Sequence, residues 1–297
     1  MTIPKDAKHV TQESIVLAIS FMFLAMLLFT TANTFVKYLG GLNPSPLQIV
    51  FFRNLIPLLG LYIYFRMRHR TRPNINRQVI KDFALRSVFS TFGLSCLFYA
   101  YMHGNLADVT AISFTSPLFI SILAIPMLNE HLSWKRFVGL LVGFGGVLII
   151  TRPSGDIHWS GFFALLYALS AAYLMVTDRK LRHHYTSAEI VFYFSMGCSV
   201  ISVIPAVLLW HSPSMLEWMT LGVVGVLGGL AQLCIALAYR RANATVVGQT
   251  AYVSVIIAAI YNYYLFHILP TIHLTVGSLM ITVGGVYIVM HEHKKRR

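Results

Sequence analysis

The chain has 297 residues, 57% of them hydrophobic and 11% charged, with a net charge of +13; soluble domains average about 45–50% apolar and about 25% charged residues. That balance excludes an ordinary soluble domain. It also moves the basic excess from a nucleic-acid surface to membrane loops, where Lys and Arg set orientation, so the expected partners are a lipid bilayer and a small-molecule substrate, with no nucleic acid.

Apolar runs of about 20 residues, the length that crosses a hydrocarbon core about 30 Å thick, recur from end to end. The first, 15–38, is too long for a signal-peptide core and runs into Thr34-Phe-Val-Lys37 with no small-residue cleavage site, so it is expected to stay in the mature protein. It carries Thr30, Asn33, Thr34 and Lys37. The second, 46–65, carries Arg53 and Pro57, and the third, 83–101, opens near Arg86 and contains Tyr99. The fourth, 108–128, holds Ser113, Ser116 and Pro117, and the fifth covers 135–151. The sixth, 159–177, includes Tyr167; the seventh is 186–209; the eighth, 215–238, includes Gln232. The ninth, 244–265, holds Gln249, Tyr252 and Asn262, and the tenth is 272–290. Residues 66–82 read as a basic surface loop. Cys96, Cys198 and Cys234 fall in apolar runs without pairing or metal-ligand spacing, and no cofactor is expected.

Ten spans place 19 of the 23 Lys and Arg on one side and only Arg152 on the other, with Lys37, Arg53 and Arg86 inside spans. That side, which also holds both termini, is read as cytoplasmic. One span more or fewer would reverse every later loop and scatter the charges. Gly139 and Gly146 recur as Gly277 and Gly284, each shifted by 138 residues. Five spans is an odd number, so two such repeats, 1–151 and 152–297, would lie in the membrane with opposite orientations. The expected fold is thus an all-α membrane protein of ten transmembrane helices in two inverted five-helix repeats, with both termini cytoplasmic.

These spans, with Thr34-Phe-Val-Lys37-Tyr-Leu, Gln48-Ile-Val-Phe-Phe-Arg53, and Ser116-Pro117-Leu118 leading to Leu128-Asn-Glu130, resemble the EamA type of the drug/metabolite transporter superfamily. Lys37-Tyr-Leu-Gly40, Phe51-Phe-Arg53 and Asn129-Glu130 look most like the S-adenosylmethionine transporters of intracellular bacteria. The resemblance implies a bacterial inner-membrane transporter, with S-adenosylmethionine as the substrate or, as runner-up, amino acids or related metabolites. His267-Ile268 departs from the pattern where the family commonly carries a Glu.

A charge inside the membrane costs about 2.5–3.5 kcal/mol and faces a cavity or a partner. Arg53 lies seven residues inside its span, about 10 Å at helical rise. Its planar guanidinium fits a substrate carboxylate through two hydrogen bonds; a structural bond to carbonyls or another helix fits equally. Lys37, nearer its span's end, reads either as a lysine reaching the interface or as a second substrate contact. Arg86 reads as an inside-positive anchor. Asn33, Ser113, Ser116, Gln232, Gln249 and Asn262 are expected to face inward, because lipid leaves polar groups unsatisfied. They either line the substrate path or bond helix to helix. Tyr99, Tyr167 and Tyr252 offer ring faces to a sulfonium or ammonium, or simply pack.

His-Glu-x-x-His, Gly-x-Ser-x-Gly and phosphate-cradling loops are absent from the sequence, which disfavours an intramembrane enzyme. A channel filter repeated by symmetry is absent too. Gly139-x-x-x-Gly143, with Gly222, Gly225, Gly228 and Gly229, signals close helix packing, compatible with a monomer or a homodimer.

Overall fold

The computed structural model describes residues 12–42, 44–67, 77–116, 118–120, 122–123, 134–151, 159–181, 187–241, 250–251 and 253–294. Among these residues the fold is all helical. In chain order the helices are α1 (Gln12–Gly40), α2 (Pro46–Met67), α3 (Arg77–His103), α4 (Leu106–Ser113), α5 (Trp134–Thr151), α6 (Trp159–Leu181), α7 (Ser187–Leu208), α8 (Met215–Arg241), α9 (Val253–Phe266) and α10 (Ile272–Lys294). A helix lies at each of the ten predicted segments. By length and apolar composition α1, α2, α3, α7 and α8 suffice to cross a membrane.

Helix is the required answer here because the backbone of an apolar segment must satisfy its own hydrogen bonds. Large apolar side chains consequently face outward as well as inward: Val200 is 64% and Ile204 67% exposed, surface that lipid covers.

The fourth segment differs from the uninterrupted span expected over 108–128. Asn105, in extended backbone, caps α4 by accepting from the amides of Ala107 and Asp108, and Asp108 adds a favourable negative charge to the first turn. The helix then stops at Ser113. Phe114 and Thr115 form a turn before helix resumes at Ser116, and the break precedes the proline at position 117, which has no N–H to return to residue 113. At the start of α8, Ser214 and Glu217 form a reciprocal cap: the Ser214 amide donates to Glu217 Oε2 at 2.6 Å, and the Glu217 amide donates to Ser214 Oγ at 3.4 Å.

One core runs through the bundle, joining Val36 of α1, Ile49 of α2 and Phe98 of α3 to Phe194 of α7, Leu221 of α8, Ala258 of α9 and Ile281 of α10. α1 packs along α8, and α3 along α6; α2 packs against α7 and α8, and α5 against α10. α4 meets α6 and α9, α1 meets α9, and α3 meets α7. Exchanging each helix with the one five places away turns α1·α8 into α6·α3, α1·α9 into α6·α4 and α2·α8 into α7·α3. The same exchange leaves α2·α7, α4·α9 and α5·α10 unchanged, and each of these pairs is in contact, whereas α1·α3 has no such counterpart among the main contacts of the described residues.

Candidate functional site

Arg53 projects from α2 into the interior and is 6% exposed. Its guanidinium carbon lies 5.4 Å from the Phe29 ring of α1 and 5.7 Å from the Phe98 ring of α3. Space for its stem comes from α8: a Cβ on Gly228 would lie 3.1 Å from Arg53 Nε. Among the described residues no oxygen accepts a hydrogen bond from the guanidinium. Tyr167 of α6 and Cys198 of α7 lie within electrostatic range of it. A narrow cleft with a free volume of about 10 Å³ opens beside Arg53, lined by Asn54 and Pro57 of α2, Phe194 and Ser195 of α7, and Gly228, Gly229 and Gln232 of α8. Ligand pockets usually start at about 300 Å³. The helices must therefore part to admit a whole metabolite.

A second polar group lies on α1. Thr30, Asn33 and Thr34 are buried and share a face with Lys37, as the helical period requires. Asn33 Nδ2 donates to the Tyr101 hydroxyl at 3.3 Å, and that hydroxyl lies 3.1 Å from Thr110 Oγ1 of α4.

The Lys37 side chain is half-buried against α9. Its ammonium donates to Asn262 Oδ1 of α9 at 3.3 Å and sits 4.2 Å from the Phe266 ring centroid. Asn262 in turn donates to Asn105 Oδ1 at 3.1 Å. The three side chains thus join α1, α9 and the α3–α4 junction at one end of the bundle.

Among the other expected residues, Gln232 lines the cleft. Ser113 bonds back to the Val109 carbonyl of its own helix at 2.7 Å, and Ser116 is buried. Tyr99 packs on His103 and Phe163, at 4.4 and 4.5 Å between centroids, so it faces α6 away from Asn33. Gln249 and Tyr252 lie outside the described residues. Sequence reasoning did not single out Phe29, Phe98, Tyr101, Asn105 or Thr110. Asn105 carried a signal, an Asn three residues before Asp108 at a helix start; the aromatic pair around Arg53 carried none, because it forms only when α1, α2 and α3 come together.

Apolar-sheathed helices enclosing a buried cation and a polar stripe define a multi-pass membrane transport protein. The chain belongs to the EamA-like transporter family, whose model matches residues 16–152 and 158–290. It is 29% identical to the S-adenosylmethionine uptake transporter of Rickettsia bellii, over 92% of this chain and 93% of that one. It is 30% identical to the pseudopaline exporter of Pseudomonas aeruginosa, over 89% of this chain and 92% of the exporter. A crystal structure 16% identical to it superposes with a TM-score of 0.65, covering 94% of this chain and 99% of that one, which speaks for the fold alone. The protein is a transporter of the bacterial inner membrane, and its substrate is a small molecule.

Proposed function

We propose that this chain is a secondary transporter that moves a small carboxylate-bearing metabolite, S-adenosylmethionine, by alternating access between two five-helix halves, 1–151 and 152–297. The observation that carries the reading is Arg53: a guanidinium buried among α1, α2 and α3, braced on two rings and, among the described residues, without an acceptor. A cation held at such cost with its donors unused has its partner supplied by the substrate, and a carboxylate takes two of those donors at once.

The helix exchange by five places, the twofold family match and the charge asymmetry of the loops support ten spans in two inverted repeats, with both termini cytoplasmic. Polar Asn33, Ser113, Ser116, Gln232, Gln249 and Asn262 complete the path in this reading, with Tyr99, Tyr167 and Tyr252 as ring faces. Lys37 joins them at the end of the path. S-adenosylmethionine pairs a carboxylate with a sulfonium, and the likeness to the Rickettsia bellii transporter favours it. Export of an amino-acid-like metabolite is the second reading, favoured by equal likeness to the pseudopaline exporter.

The test is uptake of radiolabelled S-adenosylmethionine into proteoliposomes, with and without unlabelled amino acids inside. Saturable, competable uptake supports the proposal. No uptake, beside saturable movement of amino acids, transfers the assignment to the second reading.

A further inference from the structure

The Lys37 ammonium is held by a ring face and an amide oxygen, groups that suit any small cation. Phe266 offers its ring face at 4.2 Å and Asn262 its amide oxygen at 3.3 Å. Both project from one face of α9, four residues apart. The Asn262 oxygen is held in that direction because the same amide's nitrogen is committed to Asn105 Oδ1 at 3.1 Å. Asn105 is fixed in turn by accepting from the amides of Ala107 and Asp108 at 2.9 and 3.3 Å. The carboxylate of Asp108 lies within electrostatic range of the ammonium. A ring face, an oriented amide oxygen and a nearby carboxylate are what a desolvated cation needs, and the amide oxygen owes its direction to Asn105 and not to Lys37.

Lys37 itself has an alternative. A lysine three residues from the end of a membrane helix extends its stem to the interface at little cost. Here its ammonium lies against α9, on the stripe of α1 that also carries Thr30, Asn33 and Thr34. From Lys37 that stripe runs back to Phe29, which braces Arg53, eight residues or about 12 Å away along α1. We propose that the Phe266–Asn262 cage is the station for the cationic part of the substrate, a sulfonium or alkylammonium, and that Lys37 fills it as a tethered stand-in which the arriving cation displaces. One cation replaces another, so the charge of the cage stays constant through the exchange and the freed lysine moves to the interface. This rests on the proposed function in one respect: the substrate carries a cation beside the carboxylate that Arg53 takes.

The test uses tetramethylammonium, a cation that carries no N–H, against sodium at matched ionic strength, with the purified full-length protein. A ligand of the folded state raises the melting midpoint. In Lys37→Ala the midpoint rises saturably with tetramethylammonium; in the wild type it rises only at much higher concentration. Adding Phe266→Leu to Lys37→Ala weakens that response about 2- to 30-fold, the range of a ring–cation contact. Identical responses of wild type and Lys37→Ala, or no effect of Phe266→Leu, overturn the proposal. A wild-type measurement covers the case in which Lys37→Ala does not fold: reductive methylation of Lys37, read by mass spectrometry, proceeds faster in tetramethylammonium than in sodium. An unchanged rate overturns the proposal equally. Failure of the transport assignment looks different, since a protein that moves neither S-adenosylmethionine nor amino acids can still give the expected cation response.

Discussion

Gly146 of α5 and Gly277 of α10 touch backbone to backbone: a Cβ on the first would lie 2.5 Å from the Gly277 carbonyl oxygen, and one on the second 2.6 Å from the Gly146 carbonyl oxygen. Further along, a Cβ on Gly284 would lie 2.7 Å from the carbonyl oxygen of Gly139. Residue numbers rise along α5 as they fall along α10, so the two helices are antiparallel. A shift of 138 residues carries Gly139 to Gly277 and Gly146 to Gly284. One contact thereby becomes the other.

Because those contacts are with backbone, no side chain can give way. Gly146→Ala and Gly277→Ala each destabilise by about 1–3 kcal/mol, the usual cost of overpacking, read as a lower melting midpoint in detergent. Gly222→Ala is the control. A Cβ there meets nothing within 4 Å, and the change gains about 0.5–1 kcal/mol in a helix interior. Equal effects at the three positions would remove the close-packing account.

Arg53→Ala abolishes transport and leaves the protein folded. No acceptor among the described residues is left unpaired by the change, and a buried charge is removed, so the melting midpoint holds or rises. Arg53→Lys separates charge from shape. It keeps the cation but loses the planar fork; losing one charge-assisted hydrogen bond, about 1.5–3 kcal/mol, lowers kcat/KM about 10- to 150-fold. A fully active lysine variant would reduce the role of Arg53 to its charge alone.

Gly228 is where Arg53 is tuned from another helix. A Cβ at this position would lie 3.1 Å from Nε and 3.3 Å from Cγ of Arg53, and a flexible side chain yields before a backbone does. Gly228→Val therefore raises KM with little change in melting midpoint. A large fall in midpoint at unchanged KM would mean that the α2–α8 packing, and not the guanidinium, senses the residue.

His267 holds a φ of 54° at the end of α9, where the Ile268 amide returns to the Asn262 carbonyl at 3.1 Å. That is a helix terminus normally built with glycine, and a side chain there costs about 1–2 kcal/mol. His267→Gly consequently stabilises the protein by about 1 kcal/mol. A lower melting midpoint would reveal a stabilising contact of the imidazole.

The positions of the helices were legible because membrane helices are coded by length and hydropathy, and each predicted segment holds one. The break at Phe114–Thr115 was not, since an apolar run gives no sign of where it stops being helical; Pro117 was visible, but a proline inside a span is as compatible with a kinked helix as with a break. Arg53 stood out by its chemistry alone. Its surroundings did not: Phe29, Phe98 and Gly228 come from three helices distant in sequence, and only packing brings them together. Lys37 was read either as a residue for the interface, where a lysine near a helix end usually goes, or as a substrate contact. Its contact with α9 depends on Asn262 and Phe266, more than 220 positions away. Tyr101 and Tyr99 differ only in which face of α3 they occupy, and in a helix apolar on every side that choice leaves no periodic trace.

The most direct measurement is uptake of radiolabelled S-adenosylmethionine into proteoliposomes containing wild-type or Arg53→Ala protein, matched for folded protein by size-exclusion profile and melting midpoint. Saturable uptake by the wild type and none by Arg53→Ala is the expected result. Uptake by Arg53→Ala at the wild-type rate would contradict the assignment of Arg53 as the carboxylate anchor.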